Sequence, residues 1–184
     1  MPTAPSHAIA ALALGAGFYR RDIPRHLWAT GAVYAMLPDA DVIGFRFGIH
    51  YGDLLGHRGL THSLAFAVLL AAATVAVAYR RGAGGLGPGG SCAFLALATA
   101  SHGFLDAFTD GGLGIAFFAP FDPTRYFFPW RPIAVAPIGI AGLFRPEIVH
   151  VLASELAWVW CPSGLVLALV AARQFVTSGA RTVA

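Results

Sequence analysis

Charge is the scarcest property of this chain. Only 11% of its 184 residues are Asp, Glu, Lys or Arg, where a soluble domain carries roughly a quarter. Lysine is absent, so all twelve basic residues are arginine. With a formal net charge of only +3 and scattered arginines, the chain lacks the contiguous basic groove a nucleic acid needs. Cysteine is nearly missing as well. Cys92 and Cys161 stand far apart in apolar segments, which argues against a disulfide or a thiolate metal pair and reads both as buried thiols. No basic residue precedes the first apolar run at residues 8–18, so a cleaved secretory signal, which needs a positive start, is not expected.

What the chain has instead is apolar surface: 57% of it is hydrophobic and its mean hydropathy is +0.68. That composition points to a membrane-embedded, all-α fold, a polytopic helical bundle of about five hydrophobic segments in a single domain over 1–184. The segments are residues 8–18, His26 to Leu37, Ser63 to Tyr79, Cys92 to Phe108 and Leu156 to Ala172. Ser6 as helix N-cap places His7 in the first turn of the first. The second stops at Pro38, because a proline disfavours helical geometry in the residue before it. Residues 82–91 are glycine-rich and read as a flexible connector, and 110–145 as a long outer loop rich in glycine, proline and aromatics.

If every segment crosses, Arg20, Arg21, Arg25, Arg80, Arg81, Arg173 and Arg181 share one face with Asp22 as its only acid. The positive-inside rule puts that face in the cytoplasm. His7, Asp39, Asp41, His57, His62, His102 and Asp106 then fall together on the opposite, periplasmic side, whereas His26 falls on the wrong face to join them.

Their spacing suits a metal. His57-Arg58-Gly59-Leu60-Thr61-His62-Ser63 packs two imidazoles into seven residues, and a glycine between them lets the chain fold back around one cation. His102 and Asp106 are one helical turn apart, with Thr109 and Asp110 continuing the stripe. Asp39 and Asp41 lie just past a helix end. Four imidazoles and three carboxylates are enough for one or two zinc-like divalent ions with room for water and substrate. Asp41 or Asp110 is the candidate to orient that water or shuttle its proton. Arg58 and Arg125 are the candidates to hold an anionic substrate group.

Each piece also has a plainer reading. Thr61 and Ser63 serve as caps of the next helix, Asp39-Ala40-Asp41 as a solvated turn, and His102 with Asp106 as a satisfied polar pair. Arg125 to Arg131, with Tyr126, Phe127, Phe128 and Trp130, suits an interfacial anchor or a lid over the site. Glu155 reads as a carboxylate at a helix N-terminus, and His50 and Asp53 as loop residues near enough to lend a ligand. Ionisable groups at membrane depth are costly, however, and are functional hypotheses by default.

Taken together, a histidine near the start, Pro38-Asp39-Ala40-Asp41, HRGLTHS at 57–63, His102-x-x-x-Asp106-x-x-Thr109 and the later Pro120-Phe121 and arginine segment resemble the YdjM-type (DUF457) family of membrane proteins, to which a metal-dependent hydrolase activity is ascribed. The resemblance implies an inner-membrane helical protein with a divalent metal, a distant kinship to zinc-dependent phospholipase C and P1-type nucleases, and His7, Asp39, Asp41, His57, His62, His102 and Asp106 at the motif positions. The expected activity is hydrolysis of a phosphoester, small or lipid, in contact with the bilayer. Two alternatives stand beside it: a non-catalytic membrane protein with a structural metal or a partner-binding role, and an ion transporter. The last needs polar residues through the bundle, and Ser63 to Tyr79 offers only Thr74 in its middle.

Overall fold

The computed structural model describes residues 1–18, 22–139, 142 and 144–180, with side chains up to 175. Arg20, Arg21 and Arg181, used in the charge asymmetry above, lie outside the described residues.

Proline and serine set most of the helix boundaries. Helix α1 spans Ala4–Gly15 with Pro5 in its first turn, where the missing N–H has no intrahelical partner to lose. Its N-cap is Thr3 rather than Ser6. Helix α2 spans Arg25–Met36. Pro38 then removes an α-type hydrogen bond, and the chain tightens into a 3-10 helix, Leu37–Phe47, where irregular backbone was expected from the sequence. Helix α3, Leu64–Ala78, starts at Ser63, whose Oγ accepts from Phe66 N–H, so Ser63 does cap it. Helix α4 is Pro88–Ala107. It absorbs the end of the supposed connector, and a backbone bridge between Ala83 and Leu86 ties down the remainder. After an irregular outer loop come α5, Ile148–Glu155, a π-helical turn at Leu156–Trp160, and α6, Cys161–Ala180, in one continuous run.

No β-strand occurs among the described residues, and the fold is helical. Among the described residues only Ile148–Phe175, 28 residues with 11% of its apolar window buried, forms a helix long and apolar enough to cross a membrane. At 1.5 Å per residue it reaches about 42 Å, against a hydrocarbon core of about 30 Å. The 12 residues of α1 and 15 of α3 reach only about 18 and 22 Å. All five hydrophobic segments are thus helical, but length marks one of them as a clear membrane span.

Helix α4 is central and packs against α1, α2 and α3. Small residues let it do so: Ala11, Ala35, Ala71 and Ala98 are fully buried around Leu27, Leu95 and Phe94. Gly31 is required there, since a methyl group on it would overlap the Phe94 ring at 2.5 Å. Thr74, the one polar residue of α3, is already bonded to Tyr34 Oη at 2.6 Å and to Leu70 O at 2.8 Å. The expected burial of both cysteines does not hold. Cys92 is half-buried and Cys161 exposed, because α6 turns that side away from the bundle.

Candidate metal centre

Where α2 passes into its 3-10 continuation, Asp39 and Asp41 leave the axis in different directions, because two residues of a 3-10 helix advance about 240°. His62, in the short 3-10 turn Leu60–His62, sits between them. Its Nε2 faces Asp39 Oδ1 at 3.7 Å and its Nδ1 faces Asp41 Oδ2 at 3.2 Å. His102 comes up from α4 with Nε2 3.0 Å from that of His62 and 3.2 Å from Asp39 Oδ1. One turn on, Asp106 Oδ2 lies 3.7 Å from His62 Nε2 and 3.9 Å from His102 Nε2.

These four residues, Asp39, His62, His102 and Asp106, form a cluster able to hold a metal ion. Donors 2.0–2.2 Å from a tetrahedral ion stand about 3.3–3.6 Å apart, which lies within the 3.0–3.9 Å range of the five contacts above. The outer nitrogens fit the same picture. His102 Nδ1 donates to Ala35 O at 2.7 Å, and His62 Nδ1 meets Thr61 Oγ1 at 3.0 Å and Asp41 Oδ2. In its neutral form each ring therefore turns its lone-pair nitrogen inward, as metal-ligating histidines do. All four oxygens of Asp39 and Asp106 are buried without a hydrogen-bond donor, a costly state that a cation relieves. Among these side chains three carboxylates, Asp39, Asp41 and Asp106, face one guanidinium, Arg58. The excess is two negative charges, which one divalent ion balances.

The titrations of the groups between α2 and α3 follow. Burial opposes the charge on His62, but the adjacent carboxylates of Asp39 and Asp41 and the field of Asp106 prevail and raise its pKa to about 9. Burial likewise opposes ionisation of Asp39 and Asp41. The adjacent His102 ring outweighs it for Asp39, and hydrogen bonds with His57 and His62 do so for Asp41, so both stay below the usual carboxylate range.

Asp41 also holds His57, whose Nδ1 is 2.7 Å from Asp41 Oδ1, and accepts from Thr61 Oγ1 at 2.7 Å. Asp41, His57 and His62 are a second group close enough to hold a cation. At 2.7 Å, however, Asp41 and His57 are at hydrogen-bond distance, and Asp41 is placed to orient rings. Thr61, read beforehand as a cap, supports Asp41. His7 is fully buried on α1, stacked on His102 with ring centroids 3.7 Å apart, and its Nε2 is 3.6 Å from Asp106 Oδ1.

The two arginines do not fit the substrate-binding role expected of them. Arg58 is fully buried. Its Nε lies 3.1 Å from Asp106 Oδ2, its Nη1 donates to Gly111 O and Leu113 O, and its Nη2 to Thr109 Oγ1. It holds Asp106 and the following loop, leaving no free edge for an anion. Among the described residues it is also the one non-glycine at positive φ, 63°, while Gly59 follows at φ −90° and ψ −129°, where a side chain would meet Leu54 O. The turn foreseen at Gly59 is shared by both residues. Arg125 spends its guanidinium on the carbonyls of His57, Gly114, Tyr51 and Asp53 at 3.1–3.3 Å. Asp110 is exposed and accepts from Val135 N–H at 2.9 Å, outside the cluster. The exposed pair His50 and Asp53 bond each other, and His26 stacks on Tyr79. Neither joins the site.

Glu155 was misplaced by the sequence reading. It ends α5 rather than starting a helix, is fully buried, and caps the N-terminus of α1 by accepting from Thr3 N–H at 2.5 Å, Thr3 Oγ1 at 2.6 Å and Ser6 Oγ at 2.6 Å. In the loop 126–130, Tyr126 pairs with Ile115 through both backbone groups, Phe128 N–H donates to Ala107 O, and Trp130 meets Trp158 edge-on at 4.7 Å. Nothing in the sequence signalled the Ala35 carbonyl, because any residue type supplies one.

The family described as YdjM inner membrane protein matches residues 1–178. The Inner membrane protein YbcI of Escherichia coli (strain K12) is 40% identical over 171 residues, covering 92% of this chain and 97% of that protein. No solved structure matches the chain significantly.

Proposed function

The chain belongs to the YdjM family of inner membrane proteins, and on that premise we propose that it is a membrane-bound, metal-dependent hydrolase of phosphoesters. The observation that carries this reading is the convergence of His62 Nε2, His102 Nε2, Asp39 Oδ1 and Asp106 Oδ2, the two nitrogens 3.0 Å apart and 3.2–3.9 Å from the two oxygens, backed by orphaned carboxylate oxygens. Two nitrogens and two oxygens without thiolate suit zinc in a hydrolytic setting. A divalent ion in such a site supplies Lewis acidity and brings the pKa of a bound water toward neutrality.

The chain's own residues fix the rest. Asp41 and the Ala35 carbonyl hold His62 and His102 with their Nε2 atoms turned toward the cluster, Arg58 aims Asp106, and Arg125 clamps the loop that carries His57. Asp39, 12% exposed, is the most accessible of the four ligands, so substrate approaches past it. We place the site on the periplasmic side of a five-segment bundle, because the clustered arginines lie at the other helix ends. A lipid phosphoester suits that position, with Trp130, Trp158 and Phe108 forming an aromatic patch at headgroup level.

A structural ion is the second reading, favoured by the count of four protein donors, since closed sites are structural and catalytic ones keep an open position. The detergent-purified protein, loaded with zinc, is offered bis(p-nitrophenyl) phosphate and a phospholipid in mixed micelles, with and without chelator. Chelator-sensitive hydrolysis lost in Asp39→Ala supports the enzyme. Bound metal without turnover of either class, and without a water ligand in the Mn2+-loaded protein, establishes the structural reading.

A further inference from the structure

His7 is the buried polar group that a single ion leaves unexplained. Both of its ring nitrogens lack a hydrogen-bond partner although the residue is fully buried, and leaving such groups unsatisfied is costly. Stacking on His102 at an interplanar angle of 12° fixes the plane of the ring. Within that plane, Nε2 is directed toward the Asp106 oxygen that the four-donor cluster does not use, Oδ1, at 3.6 Å. Asp106 thus shows Oδ2 to His62 and His102 and Oδ1 to His7. Asp39 has the same duality, with Oδ1 beside His102 and Oδ2 buried and unpartnered.

We propose that the centre is dinuclear: a second divalent cation is seated by His7 Nε2 and Asp106 Oδ1, with Asp106 as the carboxylate bridging it to the first. Paired ions about 3.5–4 Å apart are the usual arrangement for in-line displacement at phosphorus, and a bridging carboxylate spans such a distance. The first ion already balances the side-chain charge. The second makes the centre positive, so it binds more weakly and is retained better when an anionic phosphoryl group is present. This inference rests on the ion-binding reading above and deepens it by assigning the anion-binding role, left vacant by Arg58 and Arg125, to the metal pair.

Mn2+ is the probe, read by electron paramagnetic resonance and by metal content after equilibrium dialysis, with and without inorganic phosphate. The parent should bind two equivalents and give an exchange-coupled spectrum, strengthened by phosphate. His7→Ala should keep one equivalent and give only the six-line spectrum of an isolated ion, and retention of that ion shows that the first site is intact. If this variant does not purify folded by circular dichroism, His7→Gln is measured by the same criteria. A parent that saturates at one equivalent with no coupled spectrum overturns the dinuclear assignment and leaves the proposed function standing. So does a folded His7 variant that keeps the coupled spectrum, or one that loses both ions. A parent that binds no ion at all sinks both.

Discussion

The Nε2 atoms of two buried histidines, His62 and His102, face each other at 3.0 Å. Two neutral imidazoles cannot hold that geometry, because the outer nitrogen of each is committed as a donor and both inner lone pairs then collide. Something positive must lie between them. A metal ion satisfies both rings and both carboxylates at once. A proton satisfies only part of the set and leaves the oxygens of Asp39 and Asp106 bare. His62→Ala and His102→Ala should each reduce bound zinc by at least tenfold, as measured by elemental analysis of the detergent-purified protein. Metal at parental stoichiometry in both would reject the centre.

The partners behind the ligands should matter less, but measurably. Asp41 touches the outer nitrogen of His62 and its Oδ2 accepts from Thr61. Asp41→Asn keeps the shape and removes the charge, and outer partners of metal-bound histidines typically contribute 10–100-fold in affinity. A competition titration against a chromophoric chelator should show a loss in that range. An unchanged affinity would mean that Asp41 is only a fold contact.

The pH dependence has a definite sign. In the metal-free protein the pKa of His62 is raised to about 9, from an unfolded value near 6.5. The stability it contributes is fully present below about pH 6.5 and is lost as pH rises through about 9. Metal must displace this proton, so zinc affinity should climb with pH across the same window, approaching tenfold per unit. The metal-free protein should therefore melt at lower temperature at pH 9 than at pH 6.5, with the difference abolished by zinc. Affinity that is flat from pH 6.5 to 9 would show that His62 carries no proton to displace.

The residues of the cluster were legible in the sequence while their supports were not, and the reason is physical. Histidines and aspartates are rare enough in an apolar chain that their clustering at segment ends signals a site. His62, His102, Asp39 and Asp106 converge through four separate stretches of backbone. Arg58 looked like an anion binder because guanidinium chemistry is the same whether it meets a phosphate or the chain's own Asp106, and only the fold decides which arrives first. Glu155 looked like a helix-start carboxylate because its dipole role is local, whereas its actual partners, Thr3 and Ser6, lie about 150 residues away in sequence. Hydropathy located all five helical segments, and the apolar runs at 8–18 and 63–79 were already about as short as the helices α1 and α3 that they form.

Arg58 and Glu155 supply the stability test. Removing one partner of a buried ion pair costs about 3–5 kcal/mol, so Arg58→Ala should destabilise strongly and reduce metal content by freeing Asp106. Glu155→Gln places an amide NH2 where carboxylate oxygens now accept from Thr3 and Ser6, at a cost of about 1–3 kcal/mol. Because Glu155 fixes α1 and not the four-donor cluster, that variant should melt several degrees lower while keeping its first ion. A Glu155→Gln protein that melts normally but loses the first ion would reverse this assignment.

The orientation of the chain is open to a direct experiment. Phe121 is 88% exposed in the loop that follows α4, on the side of the metal ligands and opposite to the arginines clustered at 80–81 and 173. With Cys92 and Cys161 replaced by serine, a cysteine substituted at Phe121 should react with a membrane-impermeant maleimide in intact spheroplasts, and a cysteine at Arg80 only after the membrane is opened. The positive-inside rule acts on short loops near segment ends, which is where Arg80 and Arg81 lie, just after α3. The reverse labelling pattern would put the metal centre on the cytoplasmic side, where its substrate would come from the cell interior. Labelling of both positions from outside would mean that α4, despite its 20 residues, does not cross.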